Sequence, residues 1–327
     1  MACAAGVGLG LAGAAVPLLS RDAYYLDVGT NMLEALMSTM SLQLVMSTGQ
    51  LNMAHVSFMG IGAYVSAALV MTGGWSFWIA LPAAAMVATG VAAVVGGVTL
   101  RLTGPYFFLI TFALLEVVRL FFHTFAEGLF GGASGLIGVP KPDPLRGLGY
   151  TIDFTGKVSL YYLALGLWAL VAVILIRLEY SRIGLVLRAI RQATLLAETV
   201  GVRTFRYMLT AFCLASFVAA VVGGFFAHSR GVVHSTNFGA HAMLRLVTFV
   251  IIGGSGSVWG PVVGTIGLSL VSEFLRDLGS YETLVYGTVL ILAMRFWPDG
   301  IVGAFRGIRT TWRAASSDKE LVEEPRA

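Results

Sequence analysis

The chain has 327 residues, of which 57% are hydrophobic and 12% are charged, with a formal net charge of +4. Soluble domains carry roughly 25% charged residues, so this composition excludes an ordinary soluble protein. The longest uncharged run, Ala35–Leu100, covers 66 residues, enough for three membrane helices of about 20 residues each. We therefore predict an all-α polytopic membrane protein.

Hydrophobic segments recur along the whole chain, and the predicted membrane segments are 1–20, 28–48, 53–73, 77–100, 105–124, 158–177, 207–228, 243–276 and 282–297. The first has no basic start, so we expect a retained helix rather than a cleaved signal peptide. Segment 243–276 is too long for one crossing and is interrupted by Gly253–Gly264. We expect two short pieces there, and hence a bundle of about nine or ten transmembrane helices with a broken, Gly-rich helix.

Loop charges predict the orientation of the bundle. The connection Arg177–Arg206 carries six Arg against two Glu, and such an excess of positive charge is typical of the cytoplasmic side. Counting crossings back from it places the N-terminus in the cytoplasm and the loop 125–157 outside. The C-terminal tail carries Arg306, Arg309 and Arg313, so we place it in the cytoplasm too. We expect a transmembrane domain over 1–310, with its cytoplasmic loop at 178–206, and a cytoplasmic tail over 311–327.

The outer loop 125–157 is rich in Gly and Pro. Gly permits positive φ and Pro fixes φ, which favours an ordered, turn-rich loop. Composition alone is equally compatible with a flexible connector.

A polar cluster follows the second predicted segment and contains Gln50, Asn52, His55 and Ser57. Polar groups at membrane depth face a bundle interior or an aqueous cavity. Two interpretations remain open, hydrogen bonds between helices or a translocation path. A metal site is disfavoured because no further His, Cys or carboxylate lies nearby.

Glu116 and Arg119 are three residues apart, so the two side chains can pair on one helix face. A lone charge at the bilayer centre costs roughly 2.5–3.5 kcal/mol on insertion scales. We therefore favour a structural ion pair over a proton relay.

The basic connection contains a helix-prone stretch, Ser181–Gly201, with an apolar stripe formed by Ile183, Val186, Leu187 and Ile190. Gly201 is suited to cap the C-terminus of this stretch. A basic amphipathic helix of this kind either lies on anionic lipid or plugs into a cytosolic partner.

The segment Gly253–Pro261 lacks the Lys that a P-loop requires. Its spacing fits the small-residue stripe Gly256, Gly260 and Gly264, which permits close helix approach; a broken helix along a translocation path is the alternative.

No catalytic arrangement of Ser, His, Asp or Cys appears, so we expect no enzyme activity in this chain. The basic pI of about 9.2 reflects Lys and Arg at the cytoplasmic face, not nucleic-acid binding.

Taken together and in order, several motifs resemble the M-type permease subunit of bacterial branched-chain amino-acid ABC importers. They are Thr48–Tyr64 (TGQLNMAHVSFMGIGAY), Thr103–Thr111 leading into Glu116–Leu120, Gly131–Pro140, Ser181–Gly201, Gly253–Gly264 and Phe296–Gly303. The resemblance covers nearly the whole chain.

The resemblance implies alternating access driven by ATP, in the bacterial inner membrane. The implied partners are a second permease, two ATP-binding-cassette subunits that bind ATP and Mg²⁺, and a periplasmic substrate-binding protein, with no cofactor in this chain. The residues implied to couple to the ATPase are Arg182, Gly184, Arg188, Ala189, Glu198 and Gly201. Candidates for the translocation path are Gln50, Asn52, His55, Ser57, Glu116, Gly254 and Gly256.

Two alternatives stay open at this point. One is a proton-coupled secondary transporter of a small polar solute, with Glu116 or His55 as the relay. The other is the same class of importer acting on urea, short amides or aromatic acids instead of branched-chain amino acids.

Overall fold

The structure, a computed structural model, describes residues 22–275 except 103, 126, 148 and 149, together with Pro17 and isolated residues between 287 and 300. The predicted tail 311–327 lies outside the described residues, as do all of segment 1–20 except Pro17 and most of segment 282–297. The expected end of the membrane domain at residue 310 therefore stays a prediction.

The chain divides into two compact units, Met1–Val247 and Thr248–Ala327. The helices of the first unit are α1 (Ala23–Met46), α2 (His55–Met71), α3 (Phe77–Thr99), α4 (Pro105–Leu120), α5 (Glu127–Phe130), α6 (Lys157–Glu179), α7 (Arg182–Gln192), α8 (Thr194–Thr199) and α9 (Thr204–Arg230). A π-helical turn, Phe121–Phe125, extends α4. Helix α10 (Ala240–Gly253) begins in the first unit, and α11 (Trp259–Leu275) belongs to the second.

Five described helical stretches are long and apolar enough to cross a membrane, and they are Phe77–Thr99, Pro105–Thr124, Lys157–Glu179, Thr204–Arg230 and Ser235–Gly253. Helix α2 is a shorter apolar helix. This confirms an all-α polytopic membrane protein. The count of nine or ten crossings includes segments beyond the described residues and stays a prediction.

The packing of the first unit is centred on α9, which lies against α1, α2 and α3. Glycines bring α2 and α9 into backbone contact: a Cβ at Gly62 would collide with the backbone of Ala220, and a Cβ at Gly223 with that of Met59. Helices in lipid gain stability by such close packing, since lipid tails are as apolar as Leu. Helix α1 also packs against α6.

The loop 125–157 is ordered by short strands and side-chain anchors. Strand β1 (Leu136–Ile137) pairs antiparallel with β4 (Val232–Val233), which follows α9, and β2 (Leu145–Gly147) pairs with β3 (Tyr150–Ile152). Asp143 Oδ2 accepts a hydrogen bond of 2.9 Å from the backbone N–H of Phe77, the first residue of α3. The structure thus supports the interpretation of an ordered loop over that of a flexible connector.

A second turn in this loop is fixed by Asp153. The Thr155 hydroxyl donates to Asp153 Oδ2 at 2.7 Å, and the Thr155 N–H donates to Oδ1 at 3.0 Å. Both hydrogen bonds lower the pKa of Asp153 because they stabilise the carboxylate, and the bond from the Thr155 hydroxyl has the larger effect.

The interruption predicted within segment 243–276 lies between the end of α10 and the start of α11. A Cβ at Gly253 would collide with Gly260, and one at Gly264 with the backbone of Phe249. Gly256 has no described atom within 4 Å of the position a Cβ would occupy. The close approach therefore uses Gly253 in place of Gly256, because Gly256 lies in the turn and not on a helix face.

Candidate functional site

The connection between α6 and α9 forms the segment implied to couple to an ATPase. Ser181 precedes α7 and caps it, because its hydroxyl accepts a hydrogen bond of 3.2 Å from the N–H of Ile183. Of the predicted apolar stripe, Leu187 and Ile190 are buried, whereas Ile183 is exposed. One face of α7 is thus fixed to the protein and the other is left open.

Two of the predicted coupling residues fix α7 to the end of α6. The Arg188 guanidinium lies 3.6 Å from the carboxylate of Glu179. A Cβ at Gly184 would collide with the backbone of Glu179, so only glycine permits this close approach. Arg182 and Ala189 are exposed on α7.

The other end of the segment is fixed to α9. Glu198 accepts a hydrogen bond of 2.6 Å from the hydroxyl of Thr204, the first residue of α9. Gly201 has a φ of +83°, a left-handed conformation that suits glycine at a helix end. The segment is therefore tied at both ends to long helices of the first unit.

Apolar side chains on this basic segment are exposed. Leu195, Leu196 and Val200 have exposed fractions of 79%, 66% and 75%. A cavity of about 520 Å³ has Val200 in its lining, together with Ile183, Gly201, Val202, Arg203, Arg206, Tyr207 and Thr210. Exposed apolar groups in such a patch mark a surface that another molecule covers.

The second predicted cluster, at the start of α2, is buried. His55 and Asn52 are fully buried, and Ser57 is almost so. The Nε2 atom of His55 lies 3.1 Å from the hydroxyl of Ser41, and Asn52 Oδ1 accepts a hydrogen bond of 2.9 Å from the Ala54 N–H. The structure thus brings Asn52, His55 and Ser57 to the same turn.

Gln50 lies at the edge of this turn, with its Nε2 atom 3.5 Å from the carbonyl of Leu102. The Met53 N–H donates to Thr111 Oγ1 of α4 at 3.2 Å. These bonds order the non-helical stretch before α2. Within the described residues, Asn52 Nδ2 and the Ser57 hydroxyl have no hydrogen-bond partner.

Glu116 and Arg119 form the predicted pair on α4, with Arg119 Nε 2.7 Å from Glu116 Oε2 and both side chains about one-third exposed. Five residues of helix place Glu116 about 140° around the axis from Thr111, which contacts the buried cluster. Glu116 therefore lies apart from His55. Gly254 and Gly256 belong to the second unit, where Gly254 has a φ of +105°.

Three charged residues that the motif analysis did not single out lie close together in the first unit: Glu34 of α1, Arg230 of α9 and Arg245 of α10. Arg230 Nη2 lies 3.2 Å from Glu34 Oε2, and all three line one cavity. A signal was present in the sequence, since Glu34 and Arg245 lie within predicted membrane segments. An ionisable residue at such a position indicates a functional site by default.

Comparisons with known proteins identify relatives of this chain. Residues 28–294 match the family model described as the permease component of branched-chain amino acid transport systems. The high-affinity branched-chain amino acid transport permease LivM of Salmonella typhimurium is 28% identical over 296 residues, covering 84% of this chain and 69% of LivM. LivM of Escherichia coli is 29% identical over 274 residues, covering 78% and 64% of the two chains.

The corresponding permease LivH of Escherichia coli is 26% identical over 272 residues, covering 78% of this chain and 86% of LivH. The chain thus spans about two thirds of the length of the LivM proteins that it matches. No solved structure gives a significant match.

Proposed function

The chain belongs to the family of permease components of branched-chain amino acid transport systems, and we propose that it is the M-type permease subunit of an ATP-driven importer. Its substrate would be a branched-chain or related hydrophobic amino acid, as the names of LivM and LivH indicate for those proteins. The higher identity to LivM than to LivH supports the M-type assignment.

One observation carries the mechanism: the segment formed by α7 and α8 is basic, exposes apolar side chains and is tied to two long helices. An interfacial helix on lipid would need no rigid link to the bundle. The ion pair of Arg188 with Glu179 and the hydrogen bond of Glu198 with Thr204 supply such links. We infer that this segment docks into an ATPase subunit and passes its motion to α6 and α9.

The remaining partners follow from the same proposal. Two ATPase subunits would bind ATP and Mg²⁺, a second permease would complete the pore, and a substrate-binding protein would deliver the amino acid. The segment α7–α8 and both termini would face the cytoplasm, with nine or ten crossings in all. The membrane domain would cover 1–310 and enclose the path beside Gly254 and Gly256.

The test uses the complete transporter reconstituted in proteoliposomes with its binding protein. Leu195→Asp places a charge on the exposed apolar surface of α8 and should lower ATP-driven uptake of L-leucine at least about tenfold, equivalent to about 1.4 kcal/mol of docking energy. Leu145→Asp is the matched control, since Leu145 is also an exposed leucine but lies in strand β2. Copurification of the ATPase subunits is measured in parallel.

We expect the ATPase subunits to dissociate from the Leu195→Asp complex and to remain with the Leu145→Asp complex. Uptake that persists without ATPase subunits would contradict the proposal and favour a secondary transporter. Normal uptake and copurification in the Leu195→Asp variant would instead show that α8 is not the docking segment.

A further inference from the structure

A cavity of about 240 Å³ lies in the first unit among α1, α2, α9 and the start of α10. Small-molecule sites are concave, mostly apolar and carry a few converging polar groups that fix orientation. This cavity has converging polar groups, among them Glu34, Arg230 and Arg245, and it also has apolar side chains in its walls. Its larger apolar side chains are Val56, Met59, Phe226, Phe238 and Leu246.

The carboxylate of Glu34 lies at the buried end of the polar region and is 6% exposed. Arg230 donates to Glu34 Oε2 at 3.2 Å, and the Ser229 hydroxyl lies 3.4 Å from Oε1. A carboxylate offers about four acceptor positions, so two donors leave Glu34 able to accept further hydrogen bonds. An ammonium group is the donor that best matches a buried negative charge.

Arg230 is already engaged. Its Nη2 donates to Asn31 Oδ1 at 2.6 Å as well as to Glu34, and its guanidinium lies 4.1 Å from the centre of the Phe226 ring. These contacts hold Arg230 in place beside Glu34. Arg230 therefore compensates the buried carboxylate and orders this wall of the cavity.

Arg245 is a second cation on the same cavity and acts electrostatically on Glu34. Within the part of the chain that the structure describes, its guanidinium has no hydrogen-bond or ion-pair partner. One carboxylate and two guanidinium groups give the cavity a net positive charge. A planar guanidinium without a partner is suited to bind a carboxylate in a bidentate manner.

From this arrangement we propose that the cavity binds the substrate amino acid directly, with the α-carboxylate on Arg245, the α-ammonium on Glu34 and the aliphatic side chain against Val56, Met59 and Leu246. The proposal rests on the proposed function for the class of substrate. It adds a binding site within the permease itself, in addition to the one in the binding protein.

The position of the cavity along α9 agrees with this role. Thr204 begins α9 beside the coupling segment, and Arg230 ends it at the cavity. A helix of 27 residues is about 40 Å long, so the cavity and the coupling segment lie at opposite ends of one rigid element. A movement of α7 is thereby carried to a wall of the cavity.

The test measures binding of small probes to the complete transporter in phosphatidylcholine nanodiscs without the binding protein, by saturation-transfer NMR. The probes are L-leucine, L-leucinol, which lacks the carboxylate, and 4-methylpentanoate, which lacks the ammonium group. Wild type should bind leucine at least about tenfold more tightly than either analogue, the loss expected for one charged hydrogen-bonded contact.

Arg245→Gln should remove the preference for leucine over leucinol, and Arg245→Lys should keep part of it. Glu34→Gln should remove the preference for leucine over 4-methylpentanoate. The matched control is Arg101→Gln, because Arg101 is exposed between α3 and α4 and does not line the cavity. This control should preserve both preferences.

Unchanged preferences in the Arg245→Gln and Glu34→Gln complexes would overturn the proposal, and so would a wild-type complex that binds none of the probes. The proposed function is tested separately, by ATP-driven uptake of leucine with the binding protein present. Failure of uptake together with preferences that depend on Arg245 would reject the importer and leave the cavity as an amino-acid site.

Discussion

Two polar clusters in the first unit differ in what surrounds them. The cluster of Asn52, His55 and Ser57 is completely enclosed at the start of α2, whereas Glu34 and its two arginines line an open cavity. Both contain polar groups at positions where apolar residues predominate. The comparison teaches that a polar residue in a membrane segment indicates a site only after its access to a ligand is known.

We expect the enclosed cluster to have a structural task, and its role in a translocation path stays a prediction. Its residues lie at the turn between α1 and α2. Hydrogen bonds there join α1 to α2, through Ser41 and His55, and join the turn to α4, through Met53 and Thr111. The open cluster instead contains a cation, Arg245, that acts electrostatically on Glu34 but has no hydrogen-bond or ion-pair partner among the described residues. Substitutions should therefore affect folding in the first cluster and transport in the second.

The largest effect is expected where α2 contacts α9. Gly223→Val would push a branched side chain into the backbone of Met59, one turn beyond His55. Overpacking costs roughly 1–3 kcal/mol and occasionally more, and here the obstacle is backbone that cannot rotate away. We expect a large loss of folded subunit, measured as the yield and thermal unfolding midpoint of the purified complex.

The matched control for this experiment is Gly166→Ala in α6, where no described atom lies within 4 Å of the added Cβ. Alanine in a helix interior is favoured over glycine by roughly 0.5–1 kcal/mol, so this variant should be as stable as wild type or slightly more so. Equal unfolding midpoints for Gly223→Val and wild type would show that α2 and α9 do not pack as described.

A smaller effect is expected from two asparagines that distinguish the clusters. Asn52→Ala removes the acceptor for the buried Ala54 N–H, and an unsatisfied buried donor costs about 1–3 kcal/mol. Asn31→Ala removes an exposed acceptor of Arg230, and exposed changes of this kind usually stay within about 0.5 kcal/mol. Unfolding midpoints and leucine uptake per folded complex are measured for both variants.

We expect Asn52→Ala to lower the unfolding midpoint while uptake per folded complex stays within about twofold of wild type. Asn31→Ala should leave the unfolding midpoint unchanged and lower uptake per folded complex, because Arg230 would lose one of the contacts that hold it beside Glu34. If Asn52→Ala abolished uptake without destabilising the complex, the enclosed cluster would be part of the translocation path after all.

The sequence was sufficient to predict most helices, because uncharged runs of membrane length have no other stable arrangement. Segment 77–100 corresponds to α3 within one residue, and segment 158–177 to α6 within two. The pairing of Glu116 with Arg119 was also predicted and is confirmed, since three residues of helix fix which side chains meet. These features depend on local spacing alone.

The cavity around Glu34 was not predicted, because its residues come from helices separated by about two hundred positions. Arg230 pairs with Glu34 across that distance, and no local pattern indicates which helices become neighbours. Similarly, Gly253 and Gly260 meet because the chain turns back between α10 and α11. A stripe deduced for one continuous helix could not include that turn.

The smallest effect is expected at the exposed pair on α4. Glu116→Gln removes one partner of an ion pair that is about one-third exposed on both sides, and such pairs are worth about 0–1 kcal/mol. Among the described residues, Glu116 bonds to Arg119 and has no hydrogen bond to the enclosed cluster or to Glu34. We therefore expect uptake with unchanged dependence on pH, measured between about pH 5 and 8. Loss of both uptake and its pH dependence in the Glu116→Gln transporter would require a proton step at this pair. Transport would then be driven by a group that belongs to neither the enclosed cluster nor the open one.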